Sequence, residues 1–194
     1  MIKKINLILL STVSAFAMHN AEININDKDL EIGGKFDLGQ VNTTVEPNTT
    51  FIGVKYLGAN NDHANVDING YIETNFLLEN EIDNTGVIFG IGVKANYTKI
   101  NSDKFISIPL GFELGYTFPV QIPVSVSTQF YYAPESLAFA KAKNFLEYRF
   151  FTTVEVIEKG ALVLGYRTID TNMDNRSGTQ TYNESVYFGF NFQF

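Results

Sequence analysis

Nucleophilic catalysis of the serine type needs an imidazole held between a hydroxyl and a carboxylate, and this chain has two histidines and no cysteine. His19 lies in the N-terminal segment and His63 in the Asn/Asp-rich stretch Gly58–Val66, so only His63 is available to a triad, and a solvated loop position is the plainer account of it. The lack of cysteine removes a thiol nucleophile, a thiolate metal site, a disulfide framework and a lipidated N-terminal Cys. Asp170-Thr171-Asn172-Met173-Asp174-Asn175 opens like a calcium loop, but Asn175 stands where the sixth position needs Gly and Thr181 where the twelfth needs Glu. Gly86, Gly90 and Gly92 alternate with apolar residues, which fits room-making on a strand and not a phosphate cradle. Asn42-Thr43-Thr44, Asn48-Thr49-Thr50 and Asn183-Glu184-Ser185 match glycosylation acceptors by chance. No catalytic residue, cofactor or metal ligand is expected, and the chain does not read as an enzyme.

The residues that could do chemistry are instead charged groups at every second position of apolar segments: Glu31, Lys35, Asp37, Lys55, Glu73, Lys94, Glu113, Glu147, Arg149, Glu155 and Arg167. Acids and bases are nearly balanced among them, as suits a narrow interior where each charge needs a partner or water. Glu147 and Arg149 are two residues apart on one strand, Arg167 falls on the next, and Tyr131, Glu113 and Glu135 come from the strands before. A cluster of Glu113, Tyr131, Glu147, Arg149 and Arg167 is therefore expected inside a barrel, with Arg167 paired to Glu147 or another inward carboxylate. Two readings stay open. The cluster either plugs and stiffens a small barrel or forms a constriction that selects small solutes by size and charge.

The elements that position these groups are strands. From Ile106 to Phe118 every second residue is apolar, and Leu146 to Val156 and Phe188 to Phe194 repeat the pattern. That is period two, not 3.6. Strands are expected near 30–38, 51–58, 67–79, 86–98, 105–118, 122–133, 143–157, 160–170 and 182–194. Nine cannot leave both ends on one side, and Ala21–Asn26 supplies a tenth. The expectation is an all-β, antiparallel transmembrane barrel, ten strands favoured and eight the alternative. Short breaks (119–121, 158–160) alternate with longer polar ones (134–142, 171–181), as periplasmic turns alternate with outer loops. Alternation alone does not exclude a soluble secreted ligand-binding barrel. The mixed charges of the polar face and Tyr56, Tyr97, Tyr116, Tyr132, Tyr148 and Tyr166 on the apolar face favour lipid outside.

At the N-terminus Lys3 and Lys4, the apolar Ile5–Val13 and Ala15-Phe16-Ala17 follow the order of a secretory signal peptide. A signal peptide over 1–17 and a barrel domain over 18–194 are expected. The formal net charge of −7 and pI of 4.8 argue against nucleic acid as a partner. No later stretch is long and apolar enough for a spanning helix.

Phe130-Tyr131-Tyr132-Ala133-Pro134-Glu135, Phe145-Leu146-Glu147-Tyr148, Gly165-Tyr166-Arg167 and Val186-Tyr187-Phe188-Gly189 running to Phe194 occur in an order and spacing similar to the YfaZ family of outer-membrane proteins. The resemblance covers about 105–194, with strand patterning alone over 18–104. It implies a barrel in the bacterial outer membrane, a porin-like role without a defined substrate, and no catalytic residues. A last strand of alternating aromatics stopping on Phe194 resembles the terminal signal read by the barrel assembly machinery. The expected partners are outer-membrane lipid, that machinery and small solutes. The alternative function is a structural or interaction barrel without transport activity.

Overall fold

Runs in which an aromatic or branched residue alternates with a polar or small one satisfy their backbone groups only by pairing with neighbours. In the computed structural model, which describes residues 20–59, 70–83, 85–100, 103–174 and 178–193, they do so as twelve strands: β1 (Asn20–Ile25), β2 (Asp29–Asp37), β3 (Thr50–Ala59), β4 (Tyr71–Glu81), β5 (Val87–Ile100), β6 (Asp103–Ser107), β7 (Leu110–Phe118), β8 (Val124–Ala133), β9 (Ala138–Ala140), β10 (Ala142–Ile157), β11 (Gly160–Met173) and β12 (Gln180–Gln193). Each is antiparallel to its neighbours in the order β1-β2-β3-β4-β5-β7-β8-β10-β11-β12, and β1 pairs with β12, so ten strands form a closed barrel. Closure runs over Asn20↔Gln193 to Ile25↔Phe188. The segment expected as the tenth strand is the one that closes the ring. The signal peptide lies outside the described residues, as do His19, His63 and Phe194.

The stretch expected as one strand over 105–118 is two. Pro109 has no N–H to donate, so β6 and β7 are separate pieces of one stave, both pairing with β5, while the Pro109 carbonyl accepts from Lys94 N at 2.9 Å. The small β9 extends this side of the wall by pairing with β6. The alternation survives the break, and Leu110, Phe112, Leu114, Tyr116 and Phe118 all point outward. Of the tyrosines of the expected girdle, Tyr56, Tyr97, Tyr116, Tyr132 and Tyr148 are also exposed on the outer face, and Tyr166 is half-buried.

Asn20 and Gln193 mark the terminal end of the barrel. Two of the described connections depart from the expected pattern of short turns there and long loops at the distal end. Residues 38–49 make a long link at the terminal end, held by the Asp37 carboxylate, which accepts from Gly39 N and Asn48 N at 2.9 and 2.8 Å. At the distal end β1 and β2 are joined tightly, with Asn26 Oδ1 accepting from Lys28 N and Asp29 N at 2.7 and 2.8 Å.

The interior is layered. At the distal end Leu57, Tyr71, Phe105, Ala133, Ala142, Phe145, Ile169, Met173 and Tyr182 form a buried apolar cluster inside the ring. Tyr71 lies 6.3 Å from Phe145 and 5.4 Å from Tyr182, centroid to centroid. Tyr182 reaches the inside through a slip in register, where Ile169 faces Asn183 and Asp170 faces Thr181. The extra residue of this bulge turns inward beside its neighbour.

Candidate functional site

Below the aromatic cluster, period two brings the odd-numbered residues of β2, β4, β10 and β11 and the even-numbered residues of β5 into the lumen, and these carry the charges. Lys94 Nζ sits 3.1 Å from Glu73 and 2.7 Å from Glu147. Arg149 reaches Glu31 at 2.8 Å through Nη1 and Glu147 through Nε. Arg167 reaches the other oxygen of Glu31 at 3.0 Å and Asp29 at 3.5 Å. Neutral groups add hydrogen bonds to the shell. Asn24 donates to Glu31 at 2.8 Å, Tyr71 to Glu73 at 3.1 Å, and Asn183 to Asp29 at 2.8 Å while accepting from Arg167 at 2.7 Å.

This layer is buried and continuous. Arg149 and Arg167 are 1% and 0% exposed, and Glu31 and Glu147 are fully buried. Its ties join strands that are not neighbours: β5 to β10, β10 to β2 and β11 to β2. An isolated charge at such depth would cost several kcal/mol, so three cations are held only because four carboxylates surround them. Arg guanidinium, with donors in a fixed fork, suits the two hub positions better than a point-charge ammonium would.

Glu113 and Tyr131 stand to one side of this layer. Tyr131 Oη donates to Glu113 Oε1 at 2.7 Å, and Gln129 Nε2 donates to Oε2 at 3.0 Å. Lys94 Nζ lies 4.0 Å from the Tyr131 ring centroid, a cation–π contact. The ring lies across β7 and β5 where both carry glycine: a Cβ at Gly92 would meet the Tyr131 hydroxyl at 2.5 Å and one at Gly111 the ring at 2.5 Å. The absence of side chains there makes the room.

On the terminal side of the charged layer the lumen opens into a polar cavity of about 240 Å³. Lys35, Lys55, Glu22, Glu73, Asn75 and Glu79 line its β1–β4 side with Asn191 next to Glu22, and Ser125, Ser127, Gln129 and Thr153 the opposite side. Glu113 and Lys94 stand at its floor. A second space of about 210 Å³ adjoins it at the terminal rim.

Of the expected cluster, Glu147, Arg149 and Arg167 share the charged layer, but Arg167 does not meet Glu147; Glu31 lies between the two arginines and takes both. Glu113 and Tyr131 pair with each other. Glu135 is not in the lumen. Pro134 ends β8 at Ala133, and the chain turns into a short 3-10 segment, Glu135–Leu137, whose glutamate is exposed. The cluster reading omitted Glu31, Glu73 and Lys94 and overlooked Asp29, although strand parity places all four inward. Their partners depend on the ring order of the strands, which local alternation does not encode.

A family model described as YfaZ precursor matches residues 2–194. It covers the first half of the chain as well as the part that carries the motif resemblance. No curated protein matches the sequence.

Proposed function

The chain belongs to the YfaZ precursor family, and from that membership and its closed barrel we propose that it is an outer-membrane scaffold barrel with a sealed lumen, not an open porin. The outward band of Leu, Ile, Val, Phe and Tyr suits contact with lipid acyl chains. A family of precursors is compatible with export to the envelope. In this reading the terminal end faces the periplasm, β12 with its alternating aromatics is the segment presented to the assembly machinery, and the distal loops meet envelope components or other cells.

One observation carries the sealed reading: Lys94, Arg149 and Arg167 tie opposite walls together across the middle of the barrel, beneath a buried aromatic cluster. Opening a path for ions would break these pairs and separate Tyr71, Phe145 and Tyr182. A barrel of ten strands has little interior left once such side chains fill it. The porin-like reading is supported by the polar cavity of about 240 Å³, which resembles half of a pore.

Conductance of the purified barrel in planar bilayers separates the two. The wild-type protein is expected to give no stable current steps at either polarity. Reproducible steps of uniform size from wild-type protein would restore the narrow porin as the better reading.

A further inference from the structure

Among the carboxylates lining the terminal-side cavity, Glu22 lies 2.7 Å from Lys55, Glu79 lies 3.7 Å from Lys35, and Glu73 lies 3.1 Å from Lys94. Glu113 is the exception. It is 8% exposed, and it accepts hydrogen bonds from the neutral donors Tyr131 and Gln129. A carboxylate this buried with no cation beside it among the described residues is under-compensated, since two hydrogen bonds from neutral groups hold a charge without cancelling it. Lys94, the lysine at the floor, is already committed to Glu73 and Glu147.

The wall above Glu113 is neutral. Ser125 and Ser127 on β8, Thr153 on β10 and, across the lumen beside Glu22, Asn191 on β12 offer hydroxyls and an amide, each able to donate and accept. The cavity of about 240 Å³ is near the space of eight liquid waters, at ~30 Å³ each, and lies below the ~300 Å³ at which sites for drug-sized ligands begin. It reaches Asn20 and Gln193 at the rim, so entry is from the terminal end.

We propose that this cavity is a binding site for a small hydroxylated organic cation, with Glu113 as the counter-charge to its ammonium group and the Ser125, Ser127, Thr153 and Asn191 wall binding its hydroxyls. An ammonium seated at Glu113 supplies the missing positive charge, and the rest of the ligand lies against groups that accept either sense of hydrogen bond. A ligand without the cation leaves Glu113 as it was and gains only the neutral wall. The site stands on the charge inventory of the cavity and does not depend on whether the barrel conducts.

The purified full-length barrel in detergent micelles is tested by equilibrium dialysis against protonated glucosamine at pH 6, with glucose as the isosteric neutral probe and methylammonium as the bare cation. Retention of glucosamine with at least tenfold preference over glucose, and at least a tenfold loss of affinity in Glu113→Gln, is the expected result. Ser127→Lys is the second variant. It sets a permanent ammonium in the wall next to Glu113 and should displace glucosamine even where Glu113→Gln fails to fold. Equal retention of the two sugars overturns the proposal, as does unchanged glucosamine affinity in a folded variant of either kind. Failure to retain both glucosamine and methylammonium overturns it as well.

Discussion

At the scale of single residues, depth separates the charges that hold the barrel from those that decorate it. Arg149 is buried between Glu31 and Glu147, which themselves have no access to water. Removing it leaves Glu31 with Arg167 alone and Glu147 with Lys94 alone, two cations among four carboxylates, and breaking a buried pair from one side costs about 3–5 kcal/mol. Arg149→Met should therefore lower the unfolding free energy by about that much in urea titrations of the micelle-embedded barrel. Lys35 and Glu79 make the opposite case, with a 3.7 Å separation and side chains 30% and 22% exposed. A pair so exposed contributes at most about 1 kcal/mol, and Lys35→Met should stay within that bound in the same titration. Equal losses in the two variants would mean that the mid-barrel layer is wet and that the lumen is not sealed there.

At the scale of the strand, the two faces were legible from period two alone, and the errors came where a single residue interrupts it. Pro109 divides one expected strand into β6 and β7, and Pro134 takes Glu135 out of the lumen. Phe105 and Phe145 carried a further signal. They share the parity of Ser107 and Glu147, so they had to point inward against the rule that apolar residues face out. That exception was readable and marks the distal cluster. What strand parity lacks is the identity of partners across the ring, such as Glu31 taking both Arg149 and Arg167 from strands more than a hundred residues away in sequence. The outward face also carries a prediction. Leu164 is 59% exposed and lies in mid-strand on β11. In lipid vesicles Leu164→Arg should cost about 2–4 kcal/mol, the penalty for a cation at the bilayer midplane. A loss below about 0.5 kcal/mol would show that this face meets water, and the membrane assignment would fall.

At the scale of the molecule, what makes the ten strands one object is the junction of β1 with β12. A sheet left open there would present two rows of unpaired backbone groups, which lipid cannot satisfy and which in water invite edge-to-edge association. The junction is short, from Asn20↔Gln193 to Ile25↔Phe188, and β1 has 6 residues, the fewest of the ten staves if β6 and β7 are counted as one. Ile23 faces Phe190 directly, and both side chains belong to the outer face. Directly opposed residues of antiparallel strands have Cβ atoms about 4.5–5.5 Å apart, close enough for a disulfide after a small adjustment. The chain contains no cysteine, so an engineered pair has no native thiol to compete with it. Oxidised Ile23→Cys/Phe190→Cys should therefore give an intramolecular bond that leaves the folded barrel intact and keeps it closed in denaturant. Ile25→Cys/Phe192→Cys uses the same two strands at a mismatch of four residues, about 13 Å along the strand at ~3.3 Å per residue, and should stay reduced. A bond in the second pair and not the first would move β1 by four positions against β12, shift Asn24 away from Glu31, and require a different ring closure from the one that sets the charged layer.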